Sequence, residues 1–187
     1  MSAQLNPARE ALIRYFAENG MLLCNTSGEL PYLDLVGADW NAIVSAMEDG
    51  DAFYSRFYKN RVTYLSPALY FALKPYRRRQ ERLNESSLRL LQYLHSAGEA
   101  NAEQMQQHCL LEKKAQAEAL ELLVSELFVT VIRRDVTRNE TWCTFAYGPV
   151  ERWEAKKPQE NRIPKVGEAE EILLRQLSQK KVDSLLR

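Results

Sequence analysis

Cysteine is scarce. Only Cys24, Cys109 and Cys143 occur in 187 residues. They are odd in number, far apart and form no C-x-x-C pair, which argues against a disulfide framework and against a zinc site. Long apolar runs are also missing; none approaches the roughly 20 residues that a membrane helix requires. The opening MSAQLNPARE has neither the basic nor the apolar region of a secretory signal. No GxGxxG, P-loop, HExxH or GxSxG pattern is present. These absences lead to the expectation of a reduced, cytoplasmic protein with no metal, no cofactor and no membrane association.

Net charge is absent as well, but only in the sum. Residues 1–51 carry eight acids against two cations, and residues 52–83 carry eight cations against one acid. Residues 84–148 lean acidic and the remainder leans basic. Such segregation creates local fields that a total conceals. Residues 52–83 also hold eight of the eighteen aromatic residues. Cations meet phosphates, and unpaired bases stack on aromatic faces, so this mixture fits a nucleic-acid surface. Arg77, Arg78, Arg79 and Arg82 are its candidate contacts. The alternatives are that the rings are core, that the arginines form a solvated helix end, or that the basic segment answers the acidic one before it.

The local pattern is mostly helical. Asn6 and Pro7 open a helix that Gly20 stops, with Leu12, Ile13 and Phe16 as its stripe. MLLC at 21–24 reads as a short strand. Asp39 caps a second helix that Gly50 ends. Residues 51–59 read as a further short helix and 61–65 as a strand. Ser66 and Pro67 start a helix that Pro75 kinks or ends. From Asn84 a helix runs to Gly98 with Leu88, Leu91 and Leu94 inside. Asn101 and Gln104 have capping-box spacing and open a short helix. Residues 112–128 form a longer one, with Leu120, Leu123, Val124 and Leu127 buried. FVTVIRR and TWCTFAY then close a hairpin around the polar tip DVTRNE. Residues 148–167 read as a linker and EAEEILLRQLSQKK as one last helix. The expectation is an α+β, mostly helical fold. A C-terminal winged helix-turn-helix (84–153) would pack on an α-rich region with short strands (1–83), itself readable as a degenerate winged helix. Residues 154–187 would follow as linker and helix.

LLQYLHSAGEANAEQM, AQAEALELLVSELFVTVI and TWCTFAYGPVERW resemble the winged-helix segment of AlkZ-related proteins, bacterial winged-helix DNA glycosylases that unhook crosslinks. TYLSPALYFALKPYR looks like the short AlkZ-related proteins of that group. The resemblance covers most of residues 20–155. It implies contact with DNA through winged helices and a place in DNA repair. The glycosylases themselves are considerably longer than this chain. Their catalytic signature, two glutamines flanking an apolar residue, is matched literally by Gln104-Met105-Gln106. In those enzymes it lies on a strand, where residues two apart point the same way; here it falls on a helix start, where they do not. The role is therefore not carried over, and no catalytic residue is assigned.

The long helix offers Lys113 and Lys114 but then Glu118 and Glu121, which repel phosphates. The hairpin offers Arg133, Arg134 and Arg138, opposed by Asp135 and Glu140. Other constellations are weak. His108 and Cys109 are neighbours that diverge on a helix with no third group, and Glu29 and Asp34 are loop acids. The leading expectation is a non-catalytic nucleic-acid-binding protein, acting on DNA in the first place. Its contacts would be Arg77, Arg78, Arg79, Arg82, Lys113, Lys114, Arg133, Arg134 and Arg138. The alternatives are a DNA glycosylase acting on damaged bases and a protein-interaction or homodimer module.

Overall fold

The computed structural model describes residues 6–26, 28–139, 142–157 and 163–187. Glu140 of the expected hairpin tip and residues 158–162 of the expected linker lie outside them.

Helix α1 (Pro7–Glu18) begins where Asn6 accepts from the Ala8 N–H at 3.1 Å and Pro7 occupies the first turn, where its missing N–H costs nothing. Strand β1 (Met21–Leu23) follows, then a 3-10 turn at Leu33–Val36 and helix α2 (Trp40–Asp49). Asp39 caps α2 by accepting from the Ala42 N–H at 2.7 Å, and Gly50 ends it at φ 82°, a left-handed conformation that costs glycine little. Strands β2 (Phe53–Ser55) and β3 (Thr63–Leu65) complete an antiparallel sheet in the order β1-β3-β2. The expected helix at 51–59 is thus a strand and turn. Phe53, Tyr54, Phe57 and Tyr58 have helical spacing, but all four are buried, and β2 needs only three residues to pair with β3.

Helix α3 (Pro67–Leu73), capped by Ser66, passes at Pro75 into a 3-10 turn. Then come α4 (Glu85–Ala97), α5 (Ala102–Cys109), α6 (Lys113–Ser125) and the hairpin β4 (Val129–Asn139) with β5 (Trp142–Pro149). Between α4 and α5, Ala100 pairs antiparallel with Tyr147 of β5, each N–H donating to the other's carbonyl at 2.9 Å. Ala100, β5 and β4 therefore repeat the β1-β3-β2 arrangement. The order helix, short strand, short helix, helix, hairpin occurs twice, each time with the first strand bonded to the last. It is the order expected of a winged helix. The two copies were not evident as a sequence repeat because caps and buried spacing, rather than residue identities, are what they share.

Two apolar clusters form the core. One gathers Leu12, Leu22, Ile43 and Met47 with Leu90, Leu94, Leu123 and Val129, and so joins the two units. The other gathers Phe53, Tyr70 and Leu73 with Trp153, Leu173 and Val182. On α4 the inner residue is Leu90, while Leu88 is 51% exposed, contrary to expectation. Leu120 is half-buried rather than buried. The expected linker contains helix α7 (Val150–Glu154), whose Trp153 is buried and donates from Nε1 to the Ala52 carbonyl at 3.0 Å. The expected last helix is two, α8 (Glu168–Leu174) and α9 (Gln179–Leu186). They are interrupted where Gln176 turns inward. Its Oε1 accepts from the Gly20 and Met21 N–H groups at 3.0 and 2.8 Å, and its Nε2 donates to the Tyr15 hydroxyl and the Met21 carbonyl at 2.7 and 2.8 Å.

Candidate nucleic-acid interface

Pro75 halts α3 and sends residues 77–82 across the foot of α6, which places four arginines together there. Glu126, only 4% exposed, accepts from Arg79 Nε and Nη2 at 3.1 and 2.9 Å and from Arg82 Nη1 at 3.0 Å. Burial pushes its pKa up, but the guanidiniums outweigh burial and hold the carboxyl below its ordinary value. Arg78 donates to Glu151 at 2.6 Å, lies 5.5 Å over the Phe128 ring, and bonds through its N–H to the Glu126 carbonyl. Arg77 donates to the Leu185 carbonyl at 2.9 Å and stacks 4.7 Å over Phe57. Burial, with Arg79 beside it, brings the Arg77 guanidinium down to about 10. The segment thus staples α3, α6, α7 and α9. Seven of its eight neighbouring rings, from Phe53 to Phe71, are buried core; Tyr76 is half-buried.

The carboxylate partners of Arg78, Arg79 and Arg82 are Glu126 at the end of α6 and Glu151 of α7, not acids of the leading segment. Of the leading acids, Asp49 and Asp51 pair with Arg9, Asp51 also with Lys157, and Glu29 with Lys59. The hairpin arginines are engaged as well. Arg133 donates to Glu99 at 2.5 Å, which raises its pKa further, and Arg134 Nε lies 3.9 Å from Glu48. Lys114 lies 3.9 Å from Glu118 on the exposed face of α6. Among the described residues, Lys113 and Arg138 alone of the nine candidates have neither a carboxylate partner nor a carbonyl acceptor. Arg138 instead lies 5.7 Å over the ring of Trp142, which is 53% exposed.

A cleft runs between the two units. Its wider part, about 500 Å³, is lined by Trp40 of α2, Tyr54 of β2, and Arg138, Trp142, Phe145 and Tyr147 of the hairpin. Asn101, Glu103 and Asp135 add polar groups. Asn101 caps α5 through the expected capping box and donates from Nδ2 to Asp135 at 2.9 Å. Past Tyr54 and Tyr147 a narrower part of about 160 Å³ continues between Arg56 and the Ala117, Leu120 and Glu121 face of α6. Burial raises the Tyr54 and Tyr147 hydroxyls, so both stay neutral at ordinary pH. Tyr54 is one of the aromatic residues of 52–83 read from the sequence as a nucleic-acid surface, whereas Trp40, Trp142, Phe145 and Tyr147 were not proposed for binding. Phe145 and Tyr147 alternate along β5, a period that marks one face, but their meeting with Trp40 depends on the packing of α2 on β4.

The glutamine pair does not form a site. Gln104 Oε1 accepts from the Asn101 N–H at 2.9 Å, Met105 is fully buried, and Gln106 is exposed. Cys24, Cys109 and Cys143 are free thiols. Among the described residues no group of His, Cys, Asp and Glu side chains gathers as metal ligands would, and no helix is long and apolar enough to cross a membrane.

No curated protein and no solved structure matches the chain. A family profile, described as AlkZ related, matches residues 27–184. That span starts after α1 and β1 and takes in the rest of the first unit, the second unit, the arginine segment, the cleft and α8 with most of α9, and the chain belongs to the AlkZ-related family.

Proposed function

We propose that this protein binds nucleic acid, DNA in the first place, without chemistry of its own, and that it serves DNA repair. Its family is linked with DNA repair and winged-helix proteins. The observation that carries the reading is the distribution of unpaired cations. Lys113 opens α6 and Arg138 lies on the hairpin, the two elements that a winged helix turns toward DNA. Lys114, held only by a long contact to Glu118, joins them. A cation already bonded to a carboxylate gives up that bond to reach a phosphate, so the stapled arginines contribute less than these three.

The test is charge reversal in two sets. Lys113→Glu, Lys114→Glu and Arg138→Glu together should weaken DNA binding at least tenfold while leaving thermal stability unchanged. Arg79→Glu should instead lower stability. Undiminished DNA affinity in the triple variant overturns the assignment of these contacts.

A further inference from the structure

We infer that the cleft between the two units receives unpaired bases of a single strand, stacked at Trp142 and Phe145, with phosphates held by Arg138. This rests on the nucleic-acid reading above and names its ligand.

The face of α6 that lines the cleft is partly occupied by the first unit. Glu121 is bonded to Arg56 at 3.1 Å and approached by Asn60 at 3.5 Å, both from the first unit. Ala117 and Leu120 face the same narrow part of the cleft, walled by Tyr54. The helix is therefore one wall of the cleft, and Glu121 is engaged with the first unit rather than free to meet a base. What the cleft offers instead is aromatic surface. Trp40 and Phe145 have ring centroids 5.9 Å apart at 45°, and Tyr54 and Phe145 lie 6.2 Å apart at 51°. These rings are tilted against one another, with Tyr54 buried and Trp40 and Phe145 half-buried at the cleft. Trp142, half in solvent, is a large ring whose exposure no core contact explains. Stacking on such rings is how single strands are held regardless of sequence, with cations tracking the backbone.

The charges sort the ligand's two parts. Arg138, over Trp142 and without a carboxylate partner among the described residues, suits a phosphate. Glu103 of α5 and Asp135 of β4, which also line the cleft, repel phosphate and are hydrogen-bond acceptors, Asp135 already taking one bond from Asn101. Bases therefore point inward and the backbone stays at the hairpin. Acceptors there favour bases that carry an amino group, so cytosine and adenine should bind better than thymine.

The experiment is fluorescence anisotropy with the full chain and three labelled probes: a short oligo-dC strand, an oligo-dT strand of equal length, and a duplex of that length. The single dC strand should bind about tenfold more tightly than the duplex and more tightly than dT. One stacked base is worth roughly a tenfold change or more, so Trp142→Ala should lose about that factor and Trp142→Phe should keep most of the affinity. Val136→Glu, which adds a carboxylate at the exposed cleft margin, should also weaken binding and does not depend on removing a ring. Duplex binding equal to or tighter than single-strand binding would overturn the inference and leave the nucleic-acid reading standing. Unchanged affinity in both Trp142→Ala and Val136→Glu overturns it as well. Absence of binding to every probe ends both.

Discussion

Glu126 decides what the arginine segment is for. Three guanidinium nitrogens donate to one carboxylate that is nearly inaccessible to water. The guanidiniums themselves reach solvent, Arg82 by half, so losing the carboxylate removes charge-assisted hydrogen bonds worth about 1.5–3 kcal/mol in all. Glu126→Gln should lower the free energy of unfolding by that amount in urea denaturation; a loss under about 1 kcal/mol would show that the arginines are not held by it. The pH dependence has a definite sign. The folded carboxyl lies below its ordinary value of 4.5, so its stabilisation is fully present above 4.5 and is lost as pH falls through the lowered folded value. Wild type should lose stability steeply on acidification below 4.5, and Glu126→Gln should show a shallower loss over the same interval. None of this was legible in the sequence. Glu126 lies 44 and 47 residues from Arg82 and Arg79, and a run of cations reads as a surface until its partners are known. Arg138 and Lys113, which have no carboxylate partner among the described residues, look no different in sequence from the others.

At the scale of elements, caps were the most legible feature. Asn6, Asp39, Asn84 and Asn101 each accept from a backbone N–H at the helix start where the sequence places them. A cap acts within three residues, so local sequence suffices to find it. Strand β2 was not legible because three residues buried on both faces show no alternation. The break between α8 and α9 was hidden for another reason: no glycine or proline marks it, and the chain turns so that Gln176 can bond β1 and α1. That side chain latches the C-terminal helices to the first unit. Gln176→Ala leaves the Gly20 and Met21 N–H groups without this acceptor and should cost about 1–3 kcal/mol. Hydrogen exchange should then show faster loss of protection at Gly20 and Met21 than elsewhere in the sheet; uniform exchange would indicate that the latch is not local.

For the whole molecule, the expectation of an α+β, mostly helical chain holds, and the second unit has the element order expected of a winged helix. The candidate site was only partly legible. Its cations on α6 and the hairpin could be read off, whereas its aromatic walls could not. Trp40 and Phe145 are separated by more than a hundred positions in the chain and meet only because α2 packs on β4. The formal charge of zero is likewise a poor guide, since most of the basic segment is neutralised internally and a few cations remain outward. Binding of an anionic polymer by so few cations should depend on salt only modestly, because the slope scales with the number of phosphates engaged. The most direct measurement is the affinity for a short DNA strand across a range of salt concentrations. Three cations engaging phosphates predict a straight fall of log K against log salt with a slope of roughly −2, at about −0.7 per phosphate for a single strand. A slope of zero, or no binding even at low salt, contradicts the account.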